Sequence, residues 1–211
     1  LEELLALARA HNLFVIEDCA HALGAQFKGK PVGTFGDASF FSFGRDKTLS
    51  SVFGGMALIK DPAREAAMRA YQNRLPWPSL RWTLQQLLYA PLSWLIKQTY
   101  DLGIGKALLF LARTGRLIAR PVETQEKQGE APSFLSYRFS SALTRLALHQ
   151  YKKRLRFTAH RLHRARFYDE ALATLPLLRP NPIPDSTPAW LRYTIQTPKA
   201  EAILEAARKE Q

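Results

Sequence analysis

Leucines at turn spacing run through LEELLALARAHN (residues 1–12), the pattern of a helix with one apolar side. Three apolar runs of strand length follow: LFVIED (13–18), which ends in two acids, ASFFSF (38–43), closed by Gly44, and GGMALIKD (54–61). Between the first two, GAQFKGKPVGTFGD (24–37) is rich in glycine and reads as turns and a small excursion. The runs are apolar throughout rather than alternating. They therefore predict an α/β fold whose sheet is covered on both faces. Asp61 and Pro62 mark the next helix start, with proline at the first helical position, and RLPWPS (74–79) ends that helix.

Residues 80–118 are dense in Leu, Trp, Tyr and Ile, and charges at Arg81, Lys97, Asp101, Lys106, Arg113 and Arg116 cut them into short pieces. The longest uncharged piece, Trp82 to Ile96, contains Pro91 and two glutamines and falls short of the roughly 20 residues that span a bilayer. A helical hairpin packed on its own domain or on a second subunit is the favoured reading, since such patches more often mark protein contacts. Trp82, Tyr89 and Trp94 beside basic residues also make 80–118 a candidate for peripheral contact with a membrane surface. ETQEKQGEAP (123–132) reads as a polar loop. Ser140 to Leu172 reads as one long helix with Leu143, Ala147, Tyr151 and Leu155 four apart. Beyond it come a proline-rich connector (175–188), a strand in AWLRYTIQT (189–197) and a closing helix (199–211).

Charge and cysteine usage add limits. The formal net charge of +12 invites nucleic acid or anionic lipid as partners, but it is uneven: residues 131–168 contain no acid and crowd the basic side chains, which suits a solvated helix better than an anion-binding face. No methionine or capping residue precedes the first helix, so the chain is expected to begin inside a domain. It lacks a basic start followed by a compact apolar stretch, and the lone Cys19 rules out an internal disulfide framework, which together point to a reducing cytoplasm.

Asp18 stands at the end of an apolar strand, where ligands of parallel sheets gather. Alone it reads as a turn cap. Lys47, five residues after Ser42, alone reads as an exposed lysine, and only desolvation or a neighbouring charge would make its amine a nucleophile. Together they fit one task. Pyridoxal 5'-phosphate needs a lysine to hold its aldehyde, an acid to keep its ring nitrogen protonated, and donors for its phosphate, and Lys47, Asp18 and Ser42 supply one of each. No metal ligand set is assigned.

VIEDCAHALGAQFKGKPVGTFGDASFFSFGRDK (15–47) resembles the core of the DegT/DnrJ/EryC1/StrS sugar aminotransferase family: an acidic pair, His three residues after the Asp, a Gly-Lys-x-x-Gly turn, then Ser-Phe-x-x-x-Lys. The resemblance implies a partial fold type I (aspartate aminotransferase-like) transferase with a mainly parallel sheet. Residues 1–75 would be part of the large cofactor-binding domain, 76–130 a helical insertion and polar loop, 131–175 a connecting helix, and 176–211 the start of a small α+β domain. It also implies that Asp18 pairs with the pyridine nitrogen, His21 lies beside the ring hydroxyl, Ser42 binds the phosphate and Lys47 is the anchor. Histidine replaces the lysine in the family's dehydratases, so Lys47 favours aminotransfer. The implied reaction takes an amino group from glutamate or glutamine to a nucleotide-linked keto-sugar, in a homodimer that shares its sites between subunits. SYRFSSALTRLALHQYKKRLRFTAHRLHRARFYDEAL (136–172) is similar to the family's helix with Gln150, Arg161, Ala165 and Tyr168 at matching intervals, which leaves nucleic acid unneeded as a partner. Two positions depart from the pattern. Ser136 replaces an asparagine that reaches the neighbouring subunit's cofactor phosphate, and Phe53 replaces a glutamate before paired glycines; these motivate an alternative in which the fold is kept as an inactive scaffold or sensor. The family's other phosphate-binding loop and ring-stacking aromatic lie in a segment not found here.

Overall fold

The structure, a computed structural model, describes residues 1–115, 117–118 and 124–210. Helix α1 (Glu2–Ala10) leads into β1 (Ile16–Asp18), which lies parallel to β4 (Ala38–Ser42) with Asp18 beside Phe40; β5 (Gly55–Ile59) runs antiparallel on the other side of β4, with Gly55 beside Ser42. Side chains alternate along a strand, so Asp18, Phe40 and Ser42 fall on one face of the sheet and Glu17, Ser39 and Phe41 on the other. The second face carries the core. Cys19, Phe41, Phe43 and Leu49 pack there with Ala147 from α6 (Ser141–Lys152), and Ala22, Leu23, Val32 and Phe139 close around them. On the first face Ile16 is 60% and Phe40 42% exposed, so within this chain the sheet is covered on one side and not on the two that its apolar strands predict.

The glycine-rich stretch forms the expected excursion, a small hairpin of β2 (Gln26–Phe27) and β3 (Lys30–Pro31). A third strand, β6 (Ser186–Thr187), pairs with β2 and comes from the proline-rich connector. The strand expected over 189–197 does not form. Trp190 adopts a φ of +48°, which strands exclude, and the segment is held instead by rings: Trp190 stacks on Tyr193 at 5.5 Å and Tyr193 meets Tyr168 at 5.3 Å.

Asp61 accepts the Arg64 N–H at 2.8 Å and caps α2 (Pro62–Arg74), as its Asp-Pro start predicts. The apolar insertion is a helical hairpin of α3 (Leu80–Gln98) and α4 (Ile104–Thr114), and α3 also meets α6. Gly105 is required at the hairpin's crossing, because a Cβ there would strike the carbonyl of Ile96 and the backbone of Tyr100. Arg116 and Glu123, the first residue of the expected polar loop, lie outside the described residues; a short α5 (Thr124–Lys127) and a 3-10 turn (Ser133–Ser136) precede α6. The expected single helix is two, α6 and α7 (Arg154–Ala171), broken at Lys153. Arg154 donates to the Tyr151 carbonyl at 3.3 Å and lies 4.2 Å over its ring, taking up an acceptor that a continuous helix would use. Leu143 and Ala147 are buried as expected, whereas Tyr151 and Leu155, beside and beyond the break, are exposed. Helix α8 (Ala200–Lys209) closes the chain.

Candidate active site

The acidic pair at the end of β1 divides because strand neighbours point opposite ways. Glu17, on the packed face, accepts the backbone N–H groups of Gly33 at 2.8 Å and of Phe35 and Gly36 at 2.7 Å each, and so fixes the turn that follows the small hairpin. Asp18, on the open face, is exposed and accepts the Ala20 N–H at 3.0 Å, which holds its carboxylate at the carboxyl end of the strand. Cys19 then turns into the core. Burial, with the charges of Glu17 and Asp18 behind it, pushes its thiol up to about 11, so it carries no nucleophile.

Lys47 lies in the turn after β4, its N–H donating to the Gly44 carbonyl at 3.2 Å. Its side chain is only 17% exposed, and Nζ is 2.5 Å from Nε2 of His21 and 4.0 Å from Oδ1 of Asp46. An ammonium here can donate to His21 only if that imidazole carries its proton on Nδ1 and a lone pair on Nε2. Neighbours hold the turn from several sides. Arg192 pairs with Asp46 at 3.2 Å, and Arg161 of α7 donates to the carbonyl of Thr48, the residue after Lys47. Burial pushes the Arg161 guanidinium below its usual range. Arg45 donates to Gln86 Oε1 at 3.3 Å and lies 4.2 Å over the ring of Tyr89, both on α3. Gly54, past the turn, has a φ of +118°, and a Cβ there would collide with the ring of Phe139.

Ser42 shares the open face with Asp18 on the adjacent strand, two residues farther along. Strand spacings of ~4.8 Å across and ~3.3 Å per residue put their Cα atoms roughly 8 Å apart, room for one six-membered ring between carboxylate and hydroxyl. The Ser42 hydroxyl meets the Gly44 N–H at a long 3.4 Å and has its own proton to donate. A sheltered amine against an imidazole, with a carboxylate and a hydroxyl at neighbouring strand ends, fits an aromatic aldehyde that carries a phosphate. Ser136 stands apart. It is exposed at the end of the 3-10 turn, and no hydrogen bond among the described residues joins it to Lys47, Asp18 or Ser42. His21 and Arg192 also line a cleft of about 600 Å³ between the small hairpin and residues 180–192, of which Lys47, Asp18 and Ser42 are not walls. Asp46 and Arg192 escape motif reading: the acid borders Lys47 in sequence, but its partner is 146 residues away.

The family model of the DegT/DnrJ/EryC1/StrS aminotransferases matches residues 1–74. Over 61 residues the chain is 54% identical to the GDP-perosamine synthase of Escherichia coli O157:H7, a match covering 29% of this chain and 17% of that protein. Over 75 residues it is 45% identical to the UDP-N-acetyl-3-dehydro-alpha-D-glucosamine 3-aminotransferase of Acidithiobacillus ferrooxidans (35% and 20% covered), and over 74 residues 51% identical to the L-glutamine:scyllo-inosose aminotransferase of Streptomyces griseus (35% and 17%). In fold it is similar to the DegT/DnrJ/EryC1/StrS aminotransferase of Brucella abortus (TM-score 0.65, 17% identity, 99% of this chain and 43% of that one) and to Helicobacter pylori PseC, an aminotransferase involved in the biosynthesis of pseudoaminic acid (0.65, 20%, 99% and 46%). The chain thus spans less than half the length of these solved structures, with the architecture of a partial fold type I domain. The segment that holds Asp18, His21, Ser42 and Lys47, residues 1–74, is thus similar to the DegT/DnrJ/EryC1/StrS aminotransferase family.

Proposed function

We propose that the complete protein is a pyridoxal phosphate-dependent aminotransferase that moves an amino group from glutamate or glutamine to a nucleotide-linked keto-sugar. The observation that carries this reading is the sheltered Lys47 Nζ set against His21 Nε2 beside the carboxyl ends of β1 and β4. Lys47 would hold the cofactor covalently, Asp18 its pyridine nitrogen, His21 its ring hydroxyl and Ser42 its phosphate, with Ser136 offered to the phosphate in a neighbouring subunit of a homodimer. When bound, the cofactor supplies an electron sink for the negative charge that develops at the substrate carbon. Lys47 Nζ would move a proton between that carbon and the cofactor's aldehyde carbon within each half-reaction, so the amine is free again at its end. His21 keeps the amine oriented through Nε2, and low exposure keeps bulk water from it. Asp18 would accept a hydrogen bond from the ring nitrogen and so retain the proton there. The names of the relatives support a keto-sugar as acceptor, and that of the Streptomyces griseus enzyme supports glutamine as donor.

The same reading assigns residues 1–75 to the cofactor-binding domain, 76–130 to an insertion, 131–175 to a connection and 176–211 to a small domain, in a cytoplasmic enzyme. Borohydride reduction of the complete protein in the presence of pyridoxal phosphate, followed by peptide mass spectrometry, tests it: the adduct is expected on Lys47 and is lost in Lys47→Ala. An adduct on a different lysine overturns the assignment. Phe53, packed against Trp82 and Phe134 at 5.0 and 5.5 Å where the family offers a glutamate, favours a second reading as a scaffold or sensor. Loaded protein that no amino donor converts to the amine form of the cofactor would select it.

A further inference from the structure

We infer that the outer face of the α3–α4 hairpin rests on an anionic membrane surface. Helix α3 turns most of its leucines outward. At 100° per residue Leu80, Leu84, Leu88, Pro91 and Leu95 share one stripe, and that stripe faces water, with Leu80 74%, Leu84 47%, Leu88 45% and Leu95 41% exposed. The buried residues of α3, Thr83 at 8%, Gln86 at 3% and Ile96 at 6%, lie off that stripe. Trp94 stands exposed beside the stripe, and Phe110 and Leu111 extend the apolar surface onto α4. An apolar area of this extent marks a contact surface.

Charge selects what covers it. The hairpin, residues 80–114, carries four basic residues, Arg81, Lys97, Lys106 and Arg113, and a single acid, Asp101. A second copy of the same hairpin would bring these like charges together, whereas anionic headgroups attract them. Among the described residues no helix is long and apolar enough to cross a membrane, so the hairpin lies along the surface with its leucines in the headgroup boundary. The structure changes which aromatics take part. Trp82 is engaged with Phe53 and Phe134, and Tyr89 lies under Arg45, which leaves Trp94 as the outward tryptophan of α3. Since Arg45 is two residues from Lys47, α3 stands between the candidate site and the bilayer, about one helix diameter (~10 Å) of separation.

The test is sedimentation of the complete protein with vesicles of phosphatidylcholine alone and of phosphatidylcholine with phosphatidylglycerol. Binding is expected with the anionic vesicles only and is expected to fall steeply between about 50 and about 500 mM salt as the screening length shrinks. Leu84→Glu with Leu88→Glu should weaken it by about tenfold or more. Arg81→Ala with Lys106→Ala should weaken it by about 25-fold, at about fivefold per cation near the surface. Both variants should keep the wild-type melting temperature and the borohydride adduct, so a failed docking surface is distinguishable from a failed assignment of Lys47. The inference is overturned if neither vesicle binds, if the variants bind as wild type does, or if light scattering shows the leucine variant dissolving a dimer that had covered the stripe.

Discussion

Glu17→Gln and Asp18→Asn make the same chemical change one residue apart, and the structure assigns them opposite consequences. Oε1 of Glu17 holds the N–H groups of Phe35 and Gly36, and Oε2 holds that of Gly33, which is buried. Glutamine keeps one carbonyl oxygen. It can serve Phe35 and Gly36 with weaker neutral bonds, but its amide group then faces the Gly33 N–H, donor against donor. A charge-assisted hydrogen bond is worth roughly 1.5–3 kcal/mol, so the loss of one and the weakening of two should cost about 2–4 kcal/mol. Asp18 is exposed and accepts one N–H, which an asparagine oxygen can also accept, so its change should fall within about 0.5 kcal/mol. Urea titrations of the complete protein read both values, and borohydride labelling reads the site. Glu17→Gln should unfold at lower urea yet still be labelled at Lys47 when folded, while Asp18→Asn should unfold with wild type and load cofactor poorly. A Glu17→Gln midpoint equal to wild type, or an Asp18→Asn variant that is the less stable of the two, refutes the division of labour between the two acids.

Arg161→Gln should remove the guanidinium bond to the Thr48 carbonyl at a cost of about 1.5–3 kcal/mol in urea titration, with Arg161→Lys intermediate and borohydride labelling of Lys47 slowing in the same order. The Cys19 thiol, 1% exposed, should react with an aromatic disulfide reagent only as the protein unfolds. Its folded value near 11 lies above the ordinary 9.0, so above pH 9 the unfolded chain releases a proton that the folded one keeps. The stability this thiol contributes is therefore complete below pH 9 and lost as pH rises toward 11; the stability difference between wild type and Cys19→Ala should shrink over that window.

Short apolar runs located β1, β4 and β5, and the placement of Asp18, Ser42 and Lys47 at or just beyond their ends was readable because each residue lies within a few positions of a local signal. What the sequence did not disclose depends on distant partners. Glu17 reads as half of an acidic pair, but its three amide donors lie 16 to 19 residues away in a turn whose geometry no spacing rule encodes. Arg161 fits the helix pattern, yet its contact with Thr48 spans 113 residues. The strand expected at 189–197 has suitable residues, and the rings of Trp190, Tyr193 and Tyr168 prevail over that propensity by packing on one another. The break at Lys153, where its N–H and the Arg154 side chain both meet the Tyr151 carbonyl, is too local for periodicity to register.

Periodicity along α3 identifies a helix and a leucine stripe, and the usual inference turns such a stripe inward. Here the rotation is decided by Arg45, the cation two residues before Lys47. Its guanidinium is met by Gln86 and Tyr89, which project from the side of α3 away from the leucines. Turning the leucines inward would withdraw Gln86 and Tyr89 and set an apolar wall against a guanidinium, a loss on the order of a few kcal/mol. The leucines therefore face outward because the inner side of α3 is taken by these partners of Arg45 and by Trp82, packed on Phe53 and Phe134. A covered outer surface follows from the same rotation, which links the chemistry of the turn to whatever the hairpin rests upon.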